Sequence, residues 1–277
     1  MRPRCVALEK LRVAQCRTVN PARASMAHED RDVMTNNEQR RIRRVYGRRD
    51  ESPVVRRRND VSNSGRAFEL RERNEQLLLL LGPRLRSLDS SRILDVGCGV
   101  GWLLAWFRNL GVPAENLVGV DLVAHRVAAA RRRYPDLTFQ VGDAAELDFP
   151  AASFDIVTLF TVMSSILDRR MRVRVADSVS RVLAPGGAII WYDMRYSNPW
   201  NRDIRGITRK DLEALFPRFV LELRRTTLLP PLARRLGPLT DFAYPLLEGI
   251  PALDSHYLGL LSRAARPDSN DLGRRRP

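Results

Sequence analysis

The stretch Ile93-Leu94-Asp95-Val96-Gly97-Cys98-Gly99-Val100-Gly101-Trp102-Leu103-Leu104 constrains this chain more than any other. Residues 92–96 spell a short strand that carries an acid toward its carboxyl end. Three glycines at alternate positions then turn the backbone, and an apolar run from Trp102 to Leu110 starts a helix. Glycine reaches φ > 0 and lets a ligand approach the main chain closely. In an open α/β sheet such a loop faces the crevice beyond the strand ends, where ligands bind. The spacing also separates two ligand types. A dinucleotide fingerprint, G-x-G-x-x-G, would place glycine at 102, where this chain has Trp102. Asp95 just before the first glycine suits a ligand with an ammonium group there and no phosphate.

From Arg92 onward the pattern alternates strand and helix, the signature of a parallel sheet. Strands are expected at 92–96, 117–121, 137–141, 154–160, 188–193, 219–225 and 256–262. Helices are expected at about 101–110, 124–133, 170–183 and 209–216. The last two strands lack a crossover helix between them, which predicts an antiparallel hairpin at the sheet edge. The fold class that follows is α/β, a three-layer Rossmann-like sandwich with a seven-stranded, mostly parallel sheet.

The segment Leu94-Asp95-Val96-Gly97-Cys98-Gly99-Val100-Gly101 resembles motif I of the class I S-adenosylmethionine-dependent methyltransferases, and three further segments resemble that family in order. Leu117-Val118-Gly119-Val120-Asp121 ends in a second acid. The resemblance implies that Asp121, with Leu122 beside it, binds the ribose hydroxyls. Val141-Gly142-Asp143-Ala144 is similar to the adenine-recognition motif, with Asp143 accepting from the exocyclic amine and the Ala144 amide meeting a ring nitrogen. Phe160-Thr161-Val162-Met163-Ser164-Ser165 matches the wall of the methionine end, where the Phe160 carbonyl would accept from the ammonium. Arg181-Val182-Leu183-Ala184-Pro185-Gly186-Gly187 matches the turn into strand five. The implied cofactor is S-adenosyl-L-methionine, held by Asp95, Gly97, Cys98, Gly99, Gly101, Asp121, Leu122, Asp143, Ala144 and Phe160. More loosely, the flanking regions resemble uncharacterised small-molecule methyltransferases of the sort encoded with surface-polysaccharide genes.

Strand five runs into Trp191-Tyr192-Asp193-Met194-Arg195-Tyr196-Ser197-Asn198-Pro199-Trp200-Asn201, dense in polar and aromatic groups. It leaves the sheet edge beside the expected methyl group, so the acceptor belongs there. Asp193 is the first candidate base for a hydroxyl acceptor and His256 the second. No Asn-Pro-Pro-Tyr or Asp-Pro-Pro-Tyr follows strand four, no Pro-Cys nucleophile is present, and no metal-ligand cluster stands out. What remains is methyl transfer to a small acceptor, such as a saccharide, lipid-linked or secondary-metabolite hydroxyl. A nucleic-acid methyltransferase and a non-catalytic cofactor-binding protein are the competing readings.

Charge bears on the first of these. The formal net charge is +15, and residues 1–60 hold 16 Lys+Arg against 8 Asp+Glu. The surplus is thus concentrated at the amino end, without the aromatic interleaving of a nucleic-acid surface. Nearly all of it is arginine, Lys10 and Lys210 being the only lysines, which suggests a coding bias and disfavours nucleic acid as partner. Residues 1–60 read as a basic, largely disordered extension, apart from a short helix at Asn37–Val45; residues 1–33 could also be sequence upstream of a start at Met34. The methyltransferase domain is expected at 61–265 and a disordered tail at 266–277. A helix at about 66–81 is expected to close over the cofactor. No apolar run approaches the roughly 18 residues of a membrane span. Cys5, Cys16 and Cys98 have neither metal-ligand nor disulfide-framework spacing, which fits a reducing cytoplasm.

Overall fold

Strand β1, Ile93–Val96, is buried at all four positions, as an inner strand of a parallel sheet must be. It pairs in parallel with β2 (Leu117–Asp121) and β4 (Phe154–Phe160). β3 (Thr138–Val141) adds beyond β2, and β5 (Leu183–Met194) adds beyond β4. β6 (Phe219–Leu228) and β7 (Asp254–Arg263) complete the sheet antiparallel, in the order β3-β2-β1-β4-β5-β7-β6. This computed structural model describes residues 21–60, 62–82, 88–199, 201–236, 239–248 and 250–263. The fold class matches the sequence reading.

Successive strand residues face opposite sides of the sheet. Leu94, Val96, Leu159 and Trp191 pack with Val175 and Val179 of α6 (Arg169–Val182) and Leu212 of α7 (Arg209–Leu215). Ile93, Leu117, Phe139 and Ile190 pack with Leu77 of α3 (Ser64–Leu81), Phe107 of α4 (Trp102–Asn109) and Val127 of α5 (Ala124–Arg133). Two apolar layers thus clamp the sheet, each fully buried aliphatic side chain contributing about 1.5–3 kcal/mol. β5 begins five residues earlier than expected: Leu183 already pairs with Phe154, and a register shift between Phe154 and Ile156 absorbs the Pro-Gly-Gly turn.

The amino end departs from expectation. Helix α1 runs Pro21–Glu51, with proline at its start, where a missing N–H costs nothing. The chain divides into two compact units, one ending at Asn37 and one starting at Glu38; the described part of the first, residues 21–37, is helical. Within the second unit Ile42 and Val45 are buried, and α2 (Pro53–Asn59) follows with Ser52 as its cap. Residues 38–60 are therefore part of the domain, and the boundary expected at residue 61 moves to Glu38. The cause is an inward stripe of Glu38, Ile42, Val45 and Tyr46 at helical spacing, diluted in the sequence by arginines. Residues 1–20 and the expected tail 266–277 lie outside the described residues.

The β6–β7 connection carries α8 (Pro230–Ala233) and α9 (Thr240–Glu248). Tyr244 of α9 is buried against Phe68 of α3, ring centroids 5.2 Å apart. Beneath it Glu72 accepts three hydrogen bonds, from Thr226 Oγ1 (2.5 Å), the Thr227 amide (2.6 Å) and Tyr244 Oη (2.7 Å). A buried carboxylate needs such donors, because desolvating it alone would be costly. This cluster locks α3 and α9 onto the end of β6.

Candidate active site

The glycine loop is built by close approach. Gly97 (φ +74°) and Gly101 (φ +84°) both occupy the left-handed region. A Cβ on Gly101 would stand 2.5 Å from Phe139 Cζ, and one on Gly97 would stand 2.5 Å from Val162 Cγ2. Gly101→Ala should therefore combine left-handed strain with overpacking, a loss of about 3 kcal/mol. A urea-denaturation midpoint unchanged by that variant would refute the steric reading.

The amides of Gly97 and Cys98 donate to the Val120 carbonyl at 2.7 and 3.1 Å, tying the loop to the end of β2. Asp121 completes the tie: its Oδ2 accepts from the Gly99 amide and its Oδ1 from the Val123 amide, both at 2.8 Å. Burial pushes the Asp121 pKa up, against the pull of those two amides. Asp121 also lines a cavity of about 140 Å³ beyond the strand ends. Gly97, Leu122, Asp143, Ala144 and Phe160 line the same cavity. Six of the ten residues assigned to the cofactor thus come together.

The other four do not line it. Asp95 points into the sheet, where its Oδ1 accepts from Thr158 Oγ1 of β4 at 2.6 Å, and burial pushes its pKa up to about 7. It braces β1 against β4. Cys98 packs against Gly119, and burial pushes its thiol pKa up, so small size accounts for it. Gly99 holds Asp121, and Gly101 starts α4. Two further assignments meet competing partners. The Phe160 carbonyl accepts from Thr161 Oγ1 at 2.7 Å. Asp143 Oδ2, the acceptor expected for an exocyclic amine, takes a hydrogen bond from Gln39 Nε2 of α1 at 2.7 Å.

Neither candidate base lines the cavity. Asp193 is 1% exposed; its Oδ2 accepts from the Ser164 amide at 3.0 Å and its Oδ1 from the Met194 amide at 2.8 Å. Burial raises its pKa to about 6. It shapes the turn after β4 from behind. His256 stacks on Tyr192, centroids 4.7 Å apart, and its Nδ1 meets Ser255 Oγ at 2.7 Å. Burial, then the nearby cations Arg66, Arg73 and Arg234, lower its pKa to about 3 and keep it neutral. The two side chains fall on opposite faces of the sheet, since His256 lies opposite Met194 and not Asp193, and each is taken up by partners within the fold.

The sequence reading missed the wall supplied by α1. Ile42 and Tyr46 line the cavity, with Arg126 of α5 and with Thr161, Ser165 and Ile166 after β4. Tyr46 Oη lies 2.7 Å from Ser165 Oγ, and the Leu167 amide donates to Glu38. Asp50 accepts from Arg126 Nε at 2.6 Å and lies 2.8 Å from His125 Nε2. Burial works to raise the Asp50 pKa, but Arg126 and His125 outweigh it and hold the carboxyl below its usual range. A helix at 38–51, not the one at 64–81, closes over the site.

A second cavity of about 220 Å³ adjoins the first, sharing Tyr46, Arg126, Thr161 and Ser165 with it. Its further walls are Arg49, Asp50, Val55 and Asn59 on one side, and Ser164, Met194 and Ile204 on the other. Thr161, at the junction, has φ +55°, a conformation that costs a β-branched residue energy and marks functional turns. Among the described residues there is no cluster of three metal-ligating side chains.

Residues 93–187 match the model of a methyltransferase domain. A demethylmenaquinone methyltransferase of Symbiobacterium thermophilum is 32% identical over 162 residues, covering 55% of this chain and 62% of that protein. A fatty-acid O-methyltransferase of Mycolicibacterium smegmatis is 38% identical over 120 residues, 42% of either chain. The chain thus spans about half the length of the curated relatives it matches. Among solved structures, an S-adenosylmethionine-dependent methyltransferase from Mesorhizobium loti superposes with a TM-score of 0.50 at 21% identity, over 66% of this chain and 98% of that one. The glycine turn, the acid closing β2 and the matched model together identify residues 93–187 as a methyltransferase domain of the class I S-adenosylmethionine-dependent kind.

Proposed function

We propose that the protein transfers the methyl group of S-adenosylmethionine to an oxygen of a small molecule held in the second cavity. The observation that carries this reading is the meeting of two cavities at Tyr46, Arg126, Thr161 and Ser165. One has the acid and main-chain turns for a nucleoside; the other has mixed polar and apolar walls for an acceptor. The relatives named above act on small lipidic molecules, by their names, which supports an acceptor of that size.

The residues present fit the cofactor. Asp121 is a buried acceptor facing the cavity at the end of β2, suited to a diol. Val123, Ile42, Ile166 and Met171 supply apolar walls for a flat base, and Gly142-Asp143-Ala144 lies beside them. When bound, the cofactor supplies an electrophilic methyl group on a positively charged sulfur. The chain's own part is to hold the acceptor oxygen in line at the junction and exclude water, which supplies several kcal/mol through proximity alone. Asp143 is free to meet an adenine amine once Gln39 Nε2, which donates to it at 2.7 Å, gives way.

Titration calorimetry tests the reading. S-adenosylmethionine and its demethylated product, S-adenosylhomocysteine, should both bind, and NAD should give no heat, since Trp102 replaces the glycine a dinucleotide needs. Heat from NAD alone would overturn the assignment.

A further inference from the structure

We infer that the acceptor is a carboxylate on an apolar body, held by Arg49, and that the product is its methyl ester. This rests on the methyl-transfer reading above and adds the substrate class.

The first argument concerns protons. A hydroxyl acceptor must lose a proton as it attacks, and an amine must shed one from its ammonium form beforehand; a positioned base takes it. Among the described residues lining the two cavities, the carboxylates are Asp50, Asp121 and Asp143. Each is already engaged. Asp50 is held by Arg126 and His125, Asp121 by two backbone amides, and Asp143 by Gln39 and the Ala145 amide. The Tyr46 hydroxyl is paired with Ser165, and both histidine and lysine are missing from those linings. Asp193 and His256 lie behind the sheet edge. The site is built for an oxygen that arrives already deprotonated.

The second argument concerns charge. The guanidinium carbons of Arg49 and Arg126 lie 5.6 and 4.2 Å from the Tyr46 ring centroid, so two cations stand at the tyrosine both cavities share. Arg126 is neutralised by Asp50. Among the described residues no carboxylate lies within ion-pairing distance of Arg49, which lines the second cavity. A guanidinium matches a carboxylate with two parallel hydrogen bonds. Val55, Met194 and Ile204 then offer apolar contact to the rest of the molecule. A cavity of about 150 Å³ can hold benzene, so about 220 Å³ is enough for a short chain or one ring.

The step balances without an acid or base. A carboxylate lone pair forms the new oxygen–methyl bond, the sulfur–methyl bond breaks, and its electron pair stays on sulfur. The negative charge of the acid and the positive charge of the sulfonium cancel, and no proton moves. Cancelling opposite charges is favoured where water is excluded and the effective dielectric is low.

The full chain should be incubated with S-adenosylmethionine and, separately, octanoate, benzoate, octanol or octylamine, with methylated product identified by mass spectrometry. The expected result is methyl ester from at least one of the acids and no product from the alcohol or amine. Arg49→Gln should raise the KM for that acid by roughly tenfold or more, with kcat and S-adenosylhomocysteine affinity held, and Arg49→Lys should recover part of the loss. Arg218→Gln, on an exposed turn, should behave as wild type. Octanol or octylamine methylated in preference to the acids would overturn the inference. So would failure of both acids with a protein that binds S-adenosylhomocysteine, or an unchanged KM in Arg49→Gln. A protein that does not bind S-adenosylhomocysteine at all would instead fail the methyltransferase reading beneath it.

Discussion

Asp121→Ala should weaken S-adenosylhomocysteine binding by about 3 kcal/mol, roughly 150-fold. Two effects add. The carboxylate is the acceptor we propose for the ribose diol, and it also holds the Gly99 and Val123 amides at 2.8 Å. Removing it takes away the ligand contact and releases the loop that shapes the pocket. Asp121→Asn should lose less, because the amide oxygen can still accept one of those bonds. Calorimetry on the three proteins decides the point. An Ala variant that binds within threefold of wild type would make Asp121 a loop brace with no part in the ligand.

A larger effect, on stability alone, is expected at Glu72. Glu72→Ala removes the acceptor for Thr226, Thr227 and Tyr244 at once and leaves three buried donors without partners. The expected loss is about 3–5 kcal/mol, which lowers Tm by roughly 10 °C in a domain of this size. Glu72→Gln keeps an oxygen in place and should lose less. Cofactor affinity of the folded fraction should not change, since Glu72 lines neither cavity. A thermal scan within a degree or two of wild type would show that water or rearranged side chains satisfy the donors.

The strand–loop–helix core was legible because its signals are local: an apolar strand, glycines in a turn, an apolar helix start, each repeated in order along the chain. Whatever depends on which strand lies beside which was not. Asp95 sits at a strand end by sequence, but Thr158, 63 residues later, is what it bonds. Asp193 and His256 also lie where a base would be wanted, but the Ser164 and Met194 amides hold the first and Tyr192 and Ser255 take up the second. Helix α1 was harder still. Its inward stripe of Ile42, Val45 and Tyr46 is short and surrounded by arginine, and its contacts to Asp143, Ser165 and Arg126 span about 80 to 120 residues of chain. The second cavity draws on residues from 46 to 204, a juxtaposition that no sequence window contains.

The placement of β7 between β5 and β6 has a consequence for biogenesis. During synthesis the chain emerges amino end first, so β1 to β5 can associate as soon as they are made. β6 then has nowhere to dock, because its hydrogen-bonding neighbour in the finished sheet is β7, which follows it by the whole α8–α9 connection. Until residue 263 has left the ribosome, β5 shows a bare edge and β6 waits as an unpaired, half-apolar strand. Such edges recruit other chains. A nascent chain stalled between residues 228 and 254 should therefore be a strong client for chaperones, and release of the last strand should end that dependence in one cooperative step.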